Sequence, residues 1–180
     1  MSDTEMVDIV DGQGVVLRQA LKTEAHTHGW LHKTVIGCLR YGDDFALVRQ
    51  AADRQDAGQL VNPVGGHVRA GESDVEALLR ESEEEIGVRN VQHRLLGAAQ
   101  FRRQVLGRDE NHLFVVYEMT TTDEIVLGPE AVDMQRFTAT ELQRMAATDS
   151  PDLGDAYYFV AERFYPATLP AGYGYRFAVR

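Results

Sequence analysis

The chain has 180 residues, of which 44% are hydrophobic and 26% are charged, a composition typical of a folded globular protein. Its formal net charge of −10 argues against binding to duplex nucleic acid, because neutralising phosphates requires a basic surface. The single cysteine excludes an internal disulfide, and no apolar run suits a signal peptide or a membrane span, so we expect one cytoplasmic domain over residues 1–180.

The first part of the chain reads as strands and turns. Short apolar runs predict strands at 7–10, 15–17, 34–39 and 45–49. The turn residues Tyr41-Gly42-Asp43-Asp44 predict a hairpin between the last two of these strands. The polar segment 51–59 is predicted to be a loop, and Pro63-Val64-Gly65-Gly66 to be a strand end followed by a glycine loop.

A capped helix is predicted next. Ser73 and Glu76 have the spacing of a capping box at its start, and Gly87 stands where a glycine ends a helix. One stripe of this helix is expected to face the core: Val75, Leu78, Leu79, Ser82 and Ile86.

The second half mixes strands and helices. We expect a strand with a break at 91–104, a polar loop at 106–111 and a strand at 112–119. A second capping box at Thr138 and Glu141 predicts a helix to residue 147, and a last helix is predicted at 152–164.

Acidic residues crowd the predicted helix after Ser73. Four of the five residues at 81–85 are glutamates. Like charges one turn apart repel by a few tenths of a kcal/mol per pair, so the cluster is costly unless something compensates it. A divalent cation would do so, because Mg²⁺ takes oxygen ligands and shares them with substrate phosphates. The alternative is a solvated acidic surface of a helix.

The segment from Gly66 to Val88 resembles the signature of the Nudix hydrolase superfamily: Gly, five residues, Glu, seven residues, then Arg-Glu-aliphatic-x-Glu-Glu-x-Gly-aliphatic. The matching positions are Gly66, Glu72, Arg80, Glu81, Glu84, Glu85, Gly87 and Val88. Ser82 departs from the signature, which has an aliphatic residue there. The resemblance implies an α+β fold, an α/β/α sandwich with a mixed sheet, and an enzyme that hydrolyses phosphoanhydrides.

The resemblance also implies roles for the matching residues. Glu81, Glu84 and Glu85, with the Gly66 carbonyl, would hold Mg²⁺ or Mn²⁺. Arg80 would not bind the metal itself but would orient one of its ligands, by pairing with Glu72 or with a glutamate at helical spacing.

The general base is not fixed by the signature. In this superfamily it is either a glutamate of the signature or a carboxylate from a later loop. Glu84 is the candidate within the signature, and Glu110, in the loop predicted before the strand at 112–119, is the candidate outside it. Glu130 is a weaker third candidate. For Glu110 and Glu130, surface solubility is the simpler explanation.

Other residues are expected to contact the substrate. Glycine at position 65 lets the backbone approach a phosphate closely. Arginine side chains can clamp phosphates through two hydrogen bonds, although the same residues could be solvated charges at a strand edge. We assign substrate binding to Gly65, His67, Arg102, Arg103 and Arg108.

A second resemblance rests on the histidines. The segment 8–35 with the Gly66-His67 pair looks like the Nudix branch that includes type 1 isopentenyl-diphosphate isomerases, which hold a metal with histidines and glutamates. Those enzymes need a cysteine where this chain has Gly65, and a later Glu-x-Glu motif that here reads Glu110-Asn111-His112. We therefore do not expect isomerase activity.

The histidines themselves have two interpretations. His26, His28 and His32 lie close together in the sequence. A site built from His32, His67 and Glu110 could bind a metal, since neutral imidazole is a common ligand. The simpler interpretation, which we favour from the sequence, is that these histidines form hydrogen bonds near the site entrance.

Two functions remain from the sequence. The first is a metal-dependent hydrolase of a nucleoside diphosphate derivative or related small diphosphate, with Mg²⁺ or Mn²⁺ as cofactor. The second is a catalytically silent Nudix sensor that binds a nucleotide or a partner protein. An ADP-sugar, a CDP-alcohol, an oxidised nucleotide and a dinucleoside polyphosphate all remain open as substrates. The resemblance is also compatible with a homodimer, and we expect no membrane partner.

Overall fold

The computed structural model describes residues 4–105, 107–174 and 176–177. Its strands are β1 (Met6–Val10), β2 (Val16–Leu21), β3 (His32–Tyr41), β4 (Asp44–Gln50), β5 (Leu60–Val61), β6 (Val64–His67), β7 (Val91–Val105), β8 (Arg108–Thr121) and β9 (Ala131–Phe137). Its α-helices are α1 (Lys22–His28), α2 (Asp74–Ile86), α3 (Ala139–Ala147) and α4 (Asp155–Phe164), and a 3₁₀ turn follows at Pro166–Thr168. Among the residues described, no helix is both long and apolar enough to cross a membrane.

Strand β3 is the centre of the sheet. It pairs with β6 in the antiparallel direction and with β8 in the parallel direction. Its end continues through the predicted tight turn into β4, which also pairs with β5 and β9. The hairpin β1–β2 joins β3 at one edge, and β7 pairs with β8 along nearly its whole length. The sheet is therefore mixed, as expected.

The two faces of β3 pack against different helices. Val35 and Leu78 belong to one buried cluster, which fixes α2 on the first face. Ile36 and Phe159 belong to another, which fixes α4 on the second face. This alternation follows from the two-residue period of a strand. The helices thus cover both faces of a mixed sheet, which confirms the α+β sandwich.

Helix α2 begins and ends as predicted. Ser73 and Glu76 form the complete capping box, and Gly87 adopts the left-handed conformation with φ of 70°. Ser82 is fully buried in the core stripe, and its hydroxyl donates to the carbonyl of Leu78 at 2.7 Å. The predicted stripe is wrong at Leu79, which is 37% exposed.

Several sequence predictions need correction. Gly65 and Gly66 belong to strand β6 rather than to a loop, because their backbones pair with β3. The predicted loop at 106–111 is largely the start of β8, which pairs with β7 and carries Glu110. The last helix begins at Asp155, later than expected. Helix α1 and strand β9 were not predicted, since their short polar segments lack a clear period.

We predict that Gly37→Ala lowers the free energy of unfolding by about 1–3 kcal/mol, the usual cost of overpacking a core. A Cβ atom at Gly37 would overlap the sulfur of Met119 and lie 2.9 Å from Cβ of Val64 and 3.1 Å from Cδ1 of Leu78, so these side chains and helix α2 would have to move away from β3. Urea unfolding followed by circular dichroism measures the effect. Gly12→Ala is the control, because a Cβ there meets no atom within 4 Å. Equal stabilities of the two variants would contradict this account of the packing.

Candidate functional site

Two neighbouring residues of β6 point to opposite faces of the sheet. Gly66 pairs with Val35 and faces helix α2, where a Cβ atom would overlap the carboxyl group of Glu81. His67 pairs with Thr34 and faces the other side. Because residues alternate along a strand, β6 separates the acidic cluster of α2 from a group of histidines.

Arg80 connects the acidic helix to the segment before it. Its guanidinium donates to both carboxylate oxygens of Glu72, at 2.8 and 2.9 Å, and also to the carboxylate of Glu81. A further N–H donates to the carbonyl of His67 at 3.0 Å. The hydrogen bonds to Glu72 raise the pKa of Arg80, which stays charged. The expected pairing of Arg80 with Glu72 is thus present.

The carboxyl groups of Glu81 and Glu85 lie against β6 rather than in bulk solvent. The side chain of Glu81 is 12% exposed, and Glu85 accepts the backbone N–H of Gly65 at 2.7 Å. Burial raises the pKa of Glu81, although Arg80 acts in the opposite direction. Burial also raises the pKa of Glu85 well above its usual value, with a smaller contribution from the negative charge of Glu81.

Glu84 has a different environment from these two glutamates. Its side chain is 53% exposed, and it lies 3.7 Å from the guanidinium of Arg80 and 3.8 Å from that of Arg69. The carboxylates of Glu81 and Glu85 therefore lie along the backbone of Gly65 and Gly66, and the carboxylate of Glu84 is open to solvent. Such a set of oxygen donors suits a hard divalent cation.

The histidines form a compact cluster on the opposite face of the sheet. His67 lies on β6, and His32 and His112 are register partners on β3 and β8. His26 reaches them from α1. One ring nitrogen from each of these four histidines lies within 4.8 Å of those of the other three. Among the described residues, no three glutamates have carboxylate oxygens that are mutually this close. We call it the histidine cluster.

Two contacts define how the rings of the histidine cluster are oriented. The Nδ1 of His32 lies 2.8 Å from the carbonyl oxygen of Trp30, so this nitrogen must carry the proton and donate it. The Nε2 of His26 and the Nε2 of His67 are 3.2 Å apart. Burial lowers the pKa of His32 to about 4 and holds those of His67 and His112 well below the usual value. These three imidazoles are therefore neutral at pH 7.

Glu110 lies beside the histidine cluster but is held by other groups. It is two residues before His112 on β8, and only 7% of it is exposed. Arg103 donates to one of its carboxylate oxygens at 2.8 Å, and Gln55 donates to the other at 2.6 Å. Arg103 also binds both oxygens of Asp56. Glu110 is thus built into an ion-pair network rather than into a surface loop.

The remaining residues expected at the site do not lie together in the structure. The guanidinium of Arg102 forms an ion pair with the carboxylate of Asp109. Glu130 pairs with Arg54 at 2.9 Å. Arg108 begins β8, and its side chain lies outside the described part of the structure. His67, assigned to substrate binding, belongs to the histidine cluster.

The sequence leaves open whether His26 belongs to a metal site with the other histidines, and it gives no sign that His112 joins them. Pairing β3 with β8 in parallel would have placed His32 opposite His112. That pairing joins segments 80 residues apart in the sequence, so no local pattern indicates it.

The comparisons with known proteins agree with the observed fold. The NUDIX domain family matches residues 9–157. The isopentenyl-diphosphate Delta-isomerase of Jannaschia sp. (strain CCS1) is 32% identical over 138 residues, covering 73% of this chain and 78% of that protein. The uncharacterized Nudix hydrolase SCO1686 of Streptomyces coelicolor is 39% identical over 92 residues, covering 48% of this chain and 49% of that protein. The crystal structure of DR0079 from Deinococcus radiodurans has a TM-score of 0.68 at 22% identity, covering 89% of this chain and 99% of that chain.

We predict that ionisation of Glu85 takes stability from the metal-free protein as the pH rises above about 4.5, the usual pKa of a glutamate, while the buried histidines with lowered pKa values add stability up to about pH 6.5. Glu85 has a raised pKa in the folded state, so the folded state binds its proton more tightly than the unfolded chain does. Glu85→Gln should therefore reduce this loss and make the metal-free protein more stable at pH 8. Urea unfolding in EDTA from pH 5 to pH 8 measures it.

The control for this experiment is Glu124→Gln, at an exposed glutamate outside the cluster. We expect its pH profile to follow that of the wild type. A Glu85→Gln protein that is less stable than the wild type at pH 8 would contradict the assigned burial cost.

Proposed function

The chain belongs to the Nudix hydrolase family, whose enzymes hydrolyse pyrophosphate bonds, and we propose that it cleaves the diphosphate linkage of a nucleoside diphosphate derivative with Mg²⁺ or Mn²⁺. We further propose that residues 1–180 act as one Nudix hydrolase domain. One observation carries the proposal: the signature glutamates face the glycine backbone of β6, with Glu81 against Gly66 and Glu85 on the N–H of Gly65.

The residues present fit a divalent cation. Glu81 and Glu85 are partly buried carboxylates with raised pKa values, so a cation near them would offset the cost of their ionisation. Glu81, Glu84 and Glu85, with the carbonyl of Gly66, would supply hard oxygen ligands. When bound, the cation neutralises the diphosphate, polarises a phosphoryl oxygen and lowers the pKa of a water molecule.

Arg80 and Glu72 support this site without contacting the substrate. Arg80 binds Glu72 and Glu81 together, which fixes the carboxylate of Glu81 beside β6. Burial raises the pKa of Glu72, but the hydrogen bonds from Arg80 and from the backbone N–H of Arg69 outweigh it, and the net pKa is lowered. Both partners therefore remain charged at pH 7, as this positioning role requires.

Glu84 is the group we propose as general base. It is the signature carboxylate most open to solvent, so it can reach a water molecule near the substrate. Glu110 is the weaker second candidate, because it shares the face of His112 on β8, opposite the acidic helix, and its two carboxylate oxygens are engaged by Arg103 and Gln55. For the phosphates of the substrate, Arg102 and Arg108 remain the proposed partners, whereas Arg103, also expected from the sequence, is held by Glu110 and Asp56 and is 14% exposed.

Isomerase activity stays disfavoured despite the similarity to an isopentenyl-diphosphate isomerase. Gly65 has no side chain to carry a proton, and His112 stands where the second glutamate would be required. The retained glutamates also argue against the silent sensor, because a pure binding module does not need so many adjacent carboxylates. We also propose a homodimer, and the family resemblance is its only support.

We expect Glu84→Gln to lower Mg²⁺-dependent turnover by about 10²–10⁴-fold, the usual contribution of general acid–base catalysis. Phosphate or pyrophosphate release across a panel of ADP-sugars, CDP-alcohols, oxidised nucleotides and dinucleoside polyphosphates measures it and identifies the substrate. Glu83→Gln is the matched control, since Glu83 is adjacent on α2 but pairs with Arg89 at the surface. Unchanged turnover in Glu84→Gln would overturn the assignment of this residue.

We expect Gly66→Ala to fold but to bind Mn²⁺ at least about 10-fold more weakly, because its Cβ would displace the carboxylate of Glu81. Titration calorimetry with Mn²⁺ measures the affinity. Gly65→Ala is the control, since a Cβ there would make ordinary contact, 3.4 Å from Cδ1 of Ile36. If Gly66→Ala retained the affinity of the wild type, Glu81 would not be a ligand.

A further inference from the structure

We propose that Arg69 binds a phosphate group of the substrate beside the acidic cluster of α2. Arg69 occupies a position that the signature leaves unspecified, between Gly66 and Glu72. From the sequence, phosphate binding was expected from arginines of β7 and β8 instead. The inference rests on the proposed function, because it concerns the substrate of the same site.

The backbone at Arg69 is held in place next to α2. The N–H of Ala70 donates to the carbonyl of Met6 at 2.8 Å, which ties this segment to β1. The N–H of Arg69 donates to the carboxylate of Glu72 at 2.9 Å, and the carbonyl of Arg69 accepts the N–H of Glu72 at 2.9 Å. The side chain therefore extends from a fixed position, which reduces the ordering that ligand binding would require.

The side chain of Arg69 lies at the solvent side of the acidic cluster. Its guanidinium is 3.8 Å from the carboxylate of Glu84, and the two side chains are 48% and 53% exposed. Its charge also reaches Glu81, where burial raises the pKa and the positive charges of Arg80 and Arg69 oppose that increase. Arg69 thus stands beside the carboxylates that we propose to hold the cation.

The ion pair between Arg69 and Glu84 is easily exchanged for another partner. At 3.8 Å it is longer than a hydrogen bond, and an ion pair between exposed side chains contributes little to stability. A phosphate offers more, because its oxygens can accept two parallel hydrogen bonds from the planar guanidinium. A phosphate placed at the acidic cluster would therefore displace Glu84 from Arg69.

Neighbouring arginines are engaged more closely than Arg69. Arg80 is 17% exposed and is bound by Glu72 and Glu81. Two further arginines bind glutamates at hydrogen-bond distance, Arg54 at 2.9 Å from Glu130 and Arg89 at 2.8 Å from Glu83. Arg69 can therefore turn to a ligand without breaking a short contact.

The charges of the site leave a role for this arginine. Two arginines, Arg69 and Arg80, face four signature glutamates, so one divalent cation would bring the sum of these charges to zero. The diphosphate of the substrate then adds negative charge that still needs a partner. A cation held by Glu84 would also compensate this carboxylate, which leaves the guanidinium of Arg69 for the phosphate.

There is space for a phosphate group next to Arg69. An open cavity of about 270 Å³ adjoins this residue and is also lined by Glu5, Met6 and Ala70. The carboxylate of Glu5 is paired with Lys22 at 2.8 Å, so its negative charge is partly compensated. Since a water molecule takes about 30 Å³ in the liquid, the cavity exceeds the size of a phosphate group.

Calorimetry with methylene diphosphonate at saturating Mn²⁺ tests this inference, because the P–C–P bridge of this analogue is not hydrolysed. We expect Arg69→Gln to weaken its binding by about 10–100-fold, the usual effect of losing hydrogen bonds to a charged group. Arg69→Lys should lose less, since an ammonium keeps the charge but not the paired N–H groups. Arg89→Gln is the matched control, because Arg89 also pairs with a glutamate of α2, Glu83, but at the surface away from β6.

Titration with Mn²⁺ alone separates phosphate binding from a structural role. The Mn²⁺ affinity of Arg69→Gln should not fall, because removing a positive charge does not oppose the binding of a cation. If Arg69 served only to position Glu84, the variant would bind Mn²⁺ and methylene diphosphonate equally less well, and the inference would be wrong. Circular dichroism checks that the variants are folded.

Two further results would overturn the inference: an unchanged affinity of Arg69→Gln for methylene diphosphonate, or a wild-type protein that does not bind this analogue with Mn²⁺. Failure of the proposed function has a different appearance. In that case the wild type would bind methylene diphosphonate and lose this binding in Arg69→Gln, yet hydrolyse no member of the substrate panel.

Discussion

The backbone pairing of β6 with β3 is the constraint on which the rest of the site depends. It fixes Gly66 opposite Val35 and His67 opposite Thr34, and so decides which residue faces which helix. Helix α2 can approach only because position 66 has no side chain, since a Cβ there would overlap the carboxyl group of Glu81. A short strand thereby brings a backbone carbonyl, a peptide N–H and two carboxylates into one small region.

Arg80 compensates part of the negative charge in this region. Arg80 binds Glu72 and Glu81 and also the carbonyl of His67, so it ties the helix to the strand and to the segment between them. Burial still raises the pKa values of Glu81 and Glu85. One guanidinium therefore compensates the cluster only in part, and this residual cost is what a bound cation would remove.

The sequence predicted the features that depend on neighbours along the chain. The capping box at Ser73 and the glycine stop at Gly87 were right, because both are set by residues within one helical turn. The stripe failed at Leu79, since periodicity gives the direction of a side chain but not the width of the surface that covers it. The mixed sandwich was also right, but it came from the family resemblance rather than from the pattern of elements. The glycines at 65 and 66 were mistaken for a loop, because glycine weakens a strand unless a close packing partner requires it.

The histidine cluster could not be predicted from local sequence, since β3, β6, β8 and α1 each contribute one ring. Its assembly also gives β6 an unusual intolerance of register change. Successive positions of a strand face opposite sides of the sheet, so a slip by one residue would turn the imidazole of His67 toward the glutamates of α2. Gly66, which has only a hydrogen atom as its side chain, would then take the place of the fourth ring of the histidine cluster. Insertions or deletions in this four-residue strand would therefore damage both sides of the sheet at once, even if every hydrogen bond of the ladder were re-formed.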